Sequence, residues 1–194
     1  MPAAYKQGTI LAPQDLFKLA APSVYLVLVD AGGVGTWTGL GSAVAITRDT
    51  LLTNCHVVGS AKRLELRQGE WRAAPTILAA DPATDRCLLR VEEGGLNPVR
   101  GVRPGTDLVV GEPAYSLGNP SGLDQTFGEG MISAFRAMRG VSYVQTSAPV
   151  SPGSSGGALF DARGNLIGIT TLIAWDPTRT HVFHFAIAVD EYWR

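Results

Sequence analysis

Cysteine, histidine and net charge are all scarce in this chain of 194 residues. Its two cysteines, Cys55 and Cys87, are too few for a disulfide-built scaffold and lack the C-x-x-C spacing of zinc or thioredoxin-like sites. Three histidines, none at ligand spacing on a recognisable helix, give no reason to expect a metal. The formal net charge is −1, and no run of like charges forms a tail, so neither nucleic acid nor an anionic membrane surface is expected as a partner. No long apolar run is present. The most apolar early stretch, Val24 to Val29, is far too short to span a bilayer, and no apolar core of a secretory leader follows Met1–Tyr5. The four tryptophans, Trp37, Trp71, Trp175 and Trp193, follow no helical or stacking spacing and read as packing residues.

What the chain does have is scattered glycine and proline, 23 and 12 of them, punctuating short apolar or alternating runs. Such runs occur at Ser23–Val29, Gly41–Ile46, Thr50–Thr53, Arg63–Arg67, Thr76–Ala80 and Leu88–Val91. A second set follows at Ala114–Leu117, Thr126–Ile132, Tyr143–Thr146, Gly156–Phe160, Leu166–Thr171 and His184–Val189. Many short strands with few helical periods between them predict an all-β protein, a sandwich or a barrel pair. Helical signals are confined to the ends: two turns over Pro13–Ala20, and a start at Asp190, which would act as N-cap. The stretch Asn97–Thr106 lacks alternation and carries Pro98, Gly101, Pro104 and Gly105, so the crossover between two halves is expected there. That gives one unit made of an N-terminal barrel, 13–97, and a C-terminal barrel, 106–194, with about six strands each.

Three segments carry chemistry. Pro152-Gly153-Ser154-Ser155-Gly156-Gly157 surrounds a serine with small residues. A hydroxyl is a weak nucleophile near neutrality and needs a base and a site for the oxyanion. A tight turn here would aim the Gly153 and Ser155 amides at one spot, with Ser154 between them. Alone, the segment is equally an ordinary Gly/Ser loop. Leu51–Val58 places His56 at the end of an apolar strand, where it is either a rigidly held base or a satisfied core histidine. Asp81–Leu89 offers two carboxylates. Asp85 opens an apolar strand, a costly place unless it is paired, and a hydrogen bond to the His56 imidazole would justify it. Asp81 precedes a proline and reads as a solvated turn residue. Together the segments run His, Asp, Ser, the chain order of the chymotrypsin arrangement rather than of subtilisin or the α/β-hydrolases. His56 and Asp85 would then sit on the first barrel and Ser155 on the second.

With Phe17–Val24, Gly39–Ile46, Leu51–Val58, Asp81–Val91, Ser116–Leu123, Gln125–Ser133, Gln145–Phe160, Leu166–Thr171 and Phe185–Ile187 in view, the chain resembles the protease domain of the HtrA family and related trypsin-like bacterial peptidases. The resemblance covers about Phe17 to Val189. It implies two six-stranded antiparallel β-barrels of the chymotrypsin type, an active site in the cleft between them, a His56–Asp85–Ser155 triad, a polypeptide substrate and no metal or organic cofactor. It implies ordering of the oxyanion hole by the loops around Gly118–Gln125 and Arg136–Val141 rather than by zymogen cleavage. It also favours an extracytoplasmic setting. Three departures stand out. The usual G-N-S-G-G reads Gly153-Ser154-Ser155-Gly156-Gly157, and the usual T-D-A reads Thr146-Ser147-Ala148. No peptide-binding PDZ domain follows within the sequence, so chaperone-like behaviour and cage assembly are not expected to carry over.

By the same resemblance, Pro149, Val150, Thr170, Thr171, Leu172, His184 and Ala186 wall the S1 pocket. Pro149 falls where trypsin carries its acidic residue, so a cationic P1 side chain would be unpaired, and small or medium apolar P1 residues are expected. His184 stands where the family usually has glycine, either narrowing the pocket or lying on the strand without a role; His181 reads as a loop residue. Cys55 adjoins His56 and Cys87 lies two residues after Asp85, so if the acid and base meet, the thiols approach. A disulfide locking the triad and two small buried thiols are both compatible with this. The expectation is a serine endopeptidase acting through an acyl-enzyme. Its rival is a catalytically silent barrel serving as a binding or regulatory module.

Overall fold

The computed structural model describes residues 8–33, 35–122, 125–175 and 182–193, with the backbone alone described at 172–175. One helix, α1 (Pro13–Ala20), leads into the strands, with Pro13 at its first position, where the missing N–H costs nothing. Seven strands follow: β1 (Val24–Asp30), β2 (Gly39–Ala45), β3 (Thr50–Thr53), β4 (Arg63–Gln68), β5 (Trp71–Ala73), β6 (Thr76–Asp81) and β7 (Arg86–Arg90). They form one curled antiparallel sheet in the order β5-β4-β1-β2-β3-β7-β6. Six more follow: β8 (Pro113–Gly118), β9 (Thr126–Met138), β10 (Val141–Thr146), β11 (Ala158–Asp161), β12 (Leu166–Trp175) and β13 (Val182–Ala188). They close into a barrel in the order β10-β13-β12-β11-β8-β9.

The two-barrel, all-β architecture expected from the sequence is therefore present, with differences of detail. The first half carries a seventh strand, β5, only three residues long and too short to show alternation. Its ladder stays open between β5 and β6. β9 extends to Met138 rather than Ile132. The C-terminal segment is a 3₁₀ helix over Val189–Trp193, and Asp190 Oδ1 accepts the Gly105 N–H at 2.8 Å. A one-turn helix stands between β3 and β4: α2 (Cys55–Val58). No helix among the described residues is long and apolar enough to cross a membrane.

Strands of the first sheet near β1 are apolar at almost every position because both faces are covered. Tyr25, Val27 and Val29 point into a core with Ala43, Ala45, Leu51 and Leu89, while Val24, Val44 and Leu52 point the other way. That second face packs against Tyr115, Leu117, Phe160, Leu166 and Ile187 of the barrel and against Leu16 of α1. The barrel has its own interior, including Ile132, Val144, Leu159 and Ile167. Three apolar clusters thus hold the molecule, and the middle one fixes how the two sheets face each other. The chain crosses between them where Val99 N–H still bonds Ala45 O of the first sheet, while Gly101 O and Arg103 N–H bond Leu166 of the second.

Candidate active site between the two sheets

The strand register brings His56 and Asp85 together. β3 and β7 pair antiparallel with Thr53 opposite Cys87. Continued two residues past the ladder, this register sets Cys55 against Asp85, and Cys55 N–H bonds Asp85 O at 3.3 Å. His56 follows on α2, just beyond a strand held on both sides. Its backbone N–H donates to Asp85 Oδ1 at 2.8 Å, and its Nδ1 lies 2.8 Å from Asp85 Oδ2. An ionised carboxylate only accepts, so Nδ1 is the donor of this bond. The imidazole is half exposed. Asp85 adopts φ 61°, a left-handed conformation that aspartate tolerates better than most residues, and this turns its carboxylate back toward α2. Burial raises the Asp85 pKa, but the hydrogen bonds from His56, the adjacent imidazole and the Thr171 hydroxyl outweigh it and hold it below the usual carboxylate value.

Asp81 is elsewhere. It accepts the Thr84 hydroxyl and pairs with Arg86 Nη2 at 2.9 Å, as a turn residue would. Of the two cysteine readings, the structure has the disulfide: Cys55 and Cys87 are joined, with Cα atoms 4.9 Å apart. The bond spans the same two segments that carry His56 and Asp85.

Ser155 is placed by the other sheet. Gly156 N–H bonds Thr170 O at 2.8 Å and Thr170 N–H bonds Gly157 O at 2.9 Å, which extends the β11–β12 ladder to the edge of the cleft. The turn Ser151–Ser155 then closes on itself through Ser154 N–H to Ser151 O and Gly157 N–H to Ser154 O. Gly153 has φ +92°, and a Cβ there would lie 2.6 Å from Ser121 N. Gly156 has φ +83°, and a Cβ there would lie 1.9 Å from Ser42 O. Both positions therefore require glycine. The Gly153 and Ser155 amides donate to no acceptor among the described residues, whereas the three other amides of Gly153–Gly157 are engaged. Ser121 N–H holds Pro152 O at 3.2 Å, which turns the Gly153 N–H of the same peptide unit the opposite way. Ser154 acts through its backbone, its carbonyl accepting the Thr170 hydroxyl at 2.7 Å.

The Ser155 hydroxyl donates to Thr171 O at 3.0 Å, and it makes no hydrogen bond with His56. Thr171 is the hinge of the arrangement, because its own hydroxyl donates to Asp85 Oδ2 at 2.9 Å. One residue of β12 thus touches both the acid and the serine. A serine side chain has three staggered positions, and rotation about Cα–Cβ is the step that would take Oγ from Thr171 toward the imidazole.

Three positioning groups were not legible in the motifs. Ser42 of β2 accepts Asn119 N–H at 2.9 Å, donates to Gly153 O at 3.2 Å, and gives its backbone N–H to Ser155 O at 2.8 Å. Asn54, fully buried, bonds Asp85 O and Gly156 N–H. The third is the Thr171 hydroxyl. Their common signal is a small polar residue at a buried position in or just past a strand, where it must find partners.

The expected pocket residues do not gather in one place. Val150 N–H donates to His184 Nδ1 at 3.1 Å, so these two meet, and burial lowers the His184 pKa. Pro149, Ser151, Ser154 and Thr170 line a cavity of about 40 Å³ together with Ser116, Gly118 and Gly128. Ala186 is fully buried in the barrel interior with Ala148. The Leu172 side chain, the Trp175 side chain and His181 lie outside the described residues.

Residues 41–169, more than half of the chain, match the trypsin-like peptidase domain family. The chain is 36% identical over 164 residues to the putative serine protease HhoA of Synechocystis sp., covering 79% of this chain and 41% of that protein. It is 34% identical over 143 residues to the periplasmic pH-dependent serine endoprotease DegQ of Escherichia coli, covering 70% of this chain and 31% of that protein. Among solved structures, the HtrA-type protease AlgW with tripeptide superposes with a TM-score of 0.82 at 30% identity, covering 94% of this chain and 61% of that one. The serine endoprotease from Yersinia pestis gives 0.78 at 27% identity, covering 95% and 65%. The chain thus spans less than half the length of these curated relatives. A continuous family match that contains His56, Asp85 and Ser155, on a fold shared with HtrA proteases, means that this chain belongs to the trypsin-like peptidase domain family.

Proposed function

We propose that the chain is a serine endopeptidase with Ser155 as nucleophile, His56 as general base and Asp85 as the carboxylate that orients it. One observation carries the reading: Asp85 binds both the amide and Nδ1 of His56 while two unengaged amides, Gly153 and Ser155, flank the Ser155 hydroxyl. The first fixes the tautomer a base needs, and the second supplies two donors for an oxyanion.

In the reaction, Ser155 Oγ attacks the peptide carbonyl and its proton passes to His56 Nε2. The carbonyl oxygen takes negative charge against the Gly153 and Ser155 amides. Collapse breaks the C–N bond, and His56 returns the proton to the departing amine, leaving an acyl-enzyme. Water repeats the sequence and frees Ser155. The Asp85 carboxyl, held below its usual pKa, stays ionised and stabilises the imidazolium that forms in both halves.

The specificity follows from the pocket's chemistry. Pro149, Val150, Thr170 and Thr171 carry no charge, Ala186 is withdrawn into the barrel interior, and His184, with Nδ1 accepting a backbone N–H and its pKa lowered, is neutral. A cationic P1 group would find no counter-charge, so P1 is a small or medium apolar residue of an extended polypeptide. The Cys55–Cys87 disulfide and the periplasmic DegQ relative support an extracytoplasmic setting.

The test is labelling with a fluorophosphonate, followed by cleavage of a peptide library. The wild type is expected to label and Ser155→Ala to remain unlabelled, with cuts after Ala, Val or similar residues. A folded wild type that does not label would leave the silent-barrel reading in its place.

A further inference from the structure

Asn54 lies at the end of β3 with no solvent exposure. Its Nδ2 donates to Asp85 O at 3.2 Å, and its Oδ1 accepts Gly156 N–H at 2.7 Å. The orientation of the amide is dictated by its partners, since a carbonyl can only accept and an N–H can only donate. One side chain thus ties the backbone of the acid loop to the residue immediately after the serine. No other single side chain among the described residues bonds the backbone of both loops. Thr171 reaches the Asp85 carboxylate but not its backbone, and Ser42 reaches the serine turn and Asn119 but not the acid loop.

Resting on the reading of Ser155, His56 and Asp85 as the triad, we propose that Asn54 is a positioning residue that sets the distance between the two halves of the catalytic centre. The halves come from different sheets, and apolar packing between sheets is not directional. Two hydrogen bonds from one rigid amide are directional, the second through a Gly156 N–H that Asn54 shares with Thr170 O. Asn54 adjoins the turn at Gly156, so it governs where Ser155 Oγ stands relative to a base whose own position depends on Asp85. It touches no substrate. Its loss therefore appears in kcat and leaves KM in place.

The full chain is used throughout. Wild-type labelling by a fluorophosphonate is measured first, and an unlabelled wild type overturns this inference together with the peptidase reading. Given a labelled wild type, Asn54→Ala is expected to lower kcat on the order of 10- to 100-fold, the scale of a sub-ångström to ångström misplacement, with KM within about twofold. The same loss is expected in the labelling rate. A folded Asn54→Ala with kcat within about threefold of wild type, or with the effect in KM, overturns the inference alone.

Asn54→Asp keeps the shape and serves if the alanine variant does not fold. Its ionised carboxylate cannot donate to Asp85 O, whereas its protonated form can, with the second oxygen still accepting Gly156 N–H. The ratio of variant to wild-type kcat is therefore expected to rise as pH is lowered from about 8 to about 6, since burial raises a carboxyl pKa. The neighbouring titratable groups are His56, Asp85 and Tyr192, whose hydroxyl donates to Thr53 O at 3.0 Å; the new carboxylate would raise the His56 pKa, which lowers the ratio toward pH 6, so a rise is not explained by that coupling. A ratio that does not change with pH overturns the proposal, because a purely structural loss would not respond to that proton.

Discussion

The two sheets hold their shares of the site by different means. The first, open between β5 and β6, fixes His56 and Asp85 through local register: β3 pairs with β7, and the ladder's continuation sets α2 against Asp85. A covalent bond, Cys55–Cys87, closes the same corner. The second, a closed barrel, fixes the serine through a glycine-built turn whose carbonyls and amides are held from outside by Ser42, Ser121, Asn54 and Thr170. One half-site is built from side chains just beyond the ends of paired strands, and the other from backbone groups that neighbours hold in place. The difference teaches that a base and its carboxylate need one fixed distance, whereas an oxyanion site needs several amides to converge.

The sharpest way to break the first half is Asp85→Asn. It keeps the shape but offers an amide where the His56 N–H and imidazole need an acceptor. Turnover of a peptide substrate should fall on the order of 10⁴-fold with the far-UV circular dichroism unchanged. Near-wild-type activity would move the role to another carboxylate.

The second half breaks at Gly156→Ala. Its Cβ would lie 1.9 Å from the Ser42 carbonyl, with φ at +83°, so the turn must shift. A loss of 10²- to 10³-fold in kcat is expected (an order-of-magnitude figure), the scale of a displaced nucleophile or one lost oxyanion donor. Unchanged kinetics in a folded variant would show that the turn is not held from Ser42.

Removing the disulfide, by reduction or by a Cys55→Ala, Cys87→Ala double variant, sharpens the contrast further. A bond across 32 residues restricts the unfolded chain by about 3–4 kcal/mol, or roughly 10 °C in melting temperature at this size. The loss should show in calorimetry as a lower melting temperature.

The smallest effect is in pH dependence. The folded Asp85 pKa lies below its unfolded value, so its contribution to stability is complete above the unfolded value, near 3.9, and is lost as pH falls through the lower folded value. Asp49 and Asp81 are lowered in the same direction, each first by threonine hydroxyls. The urea midpoint difference between wild type and Asp85→Asn isolates the Asp85 share. It should be constant above about pH 5 and shrink below about pH 4. A constant difference down to pH 2 would tell against a paired Asp85.

Several features were readable from the chain because they follow from local chemistry. Short strands between turn residues announce a β protein. Gly153 and Gly156 are the turn positions that their backbone conformations demand, and Asp85 at the head of an apolar strand advertises a partner. β5 escaped because three residues show no period, and Ser42 escaped because its hydroxyl's partners lie 77 and 111 residues away.

By itself, then, the sequence determined the elements and the candidate groups: alternation set the strands, glycines set the serine turn, and the order His56, Asp85, Ser155 singled out the three side chains on which the proposed chemistry rests. Only the tertiary structure decided which atoms meet. It chose Asp85 over Asp81, joined Cys55 to Cys87, rested the Ser155 hydroxyl on Thr171 and put Asn54 between the two halves. Those contacts depend on how one sheet faces the other, a relation fixed by the shared apolar cluster around Val24, Leu52, Tyr115 and Phe160 and encoded in no single segment.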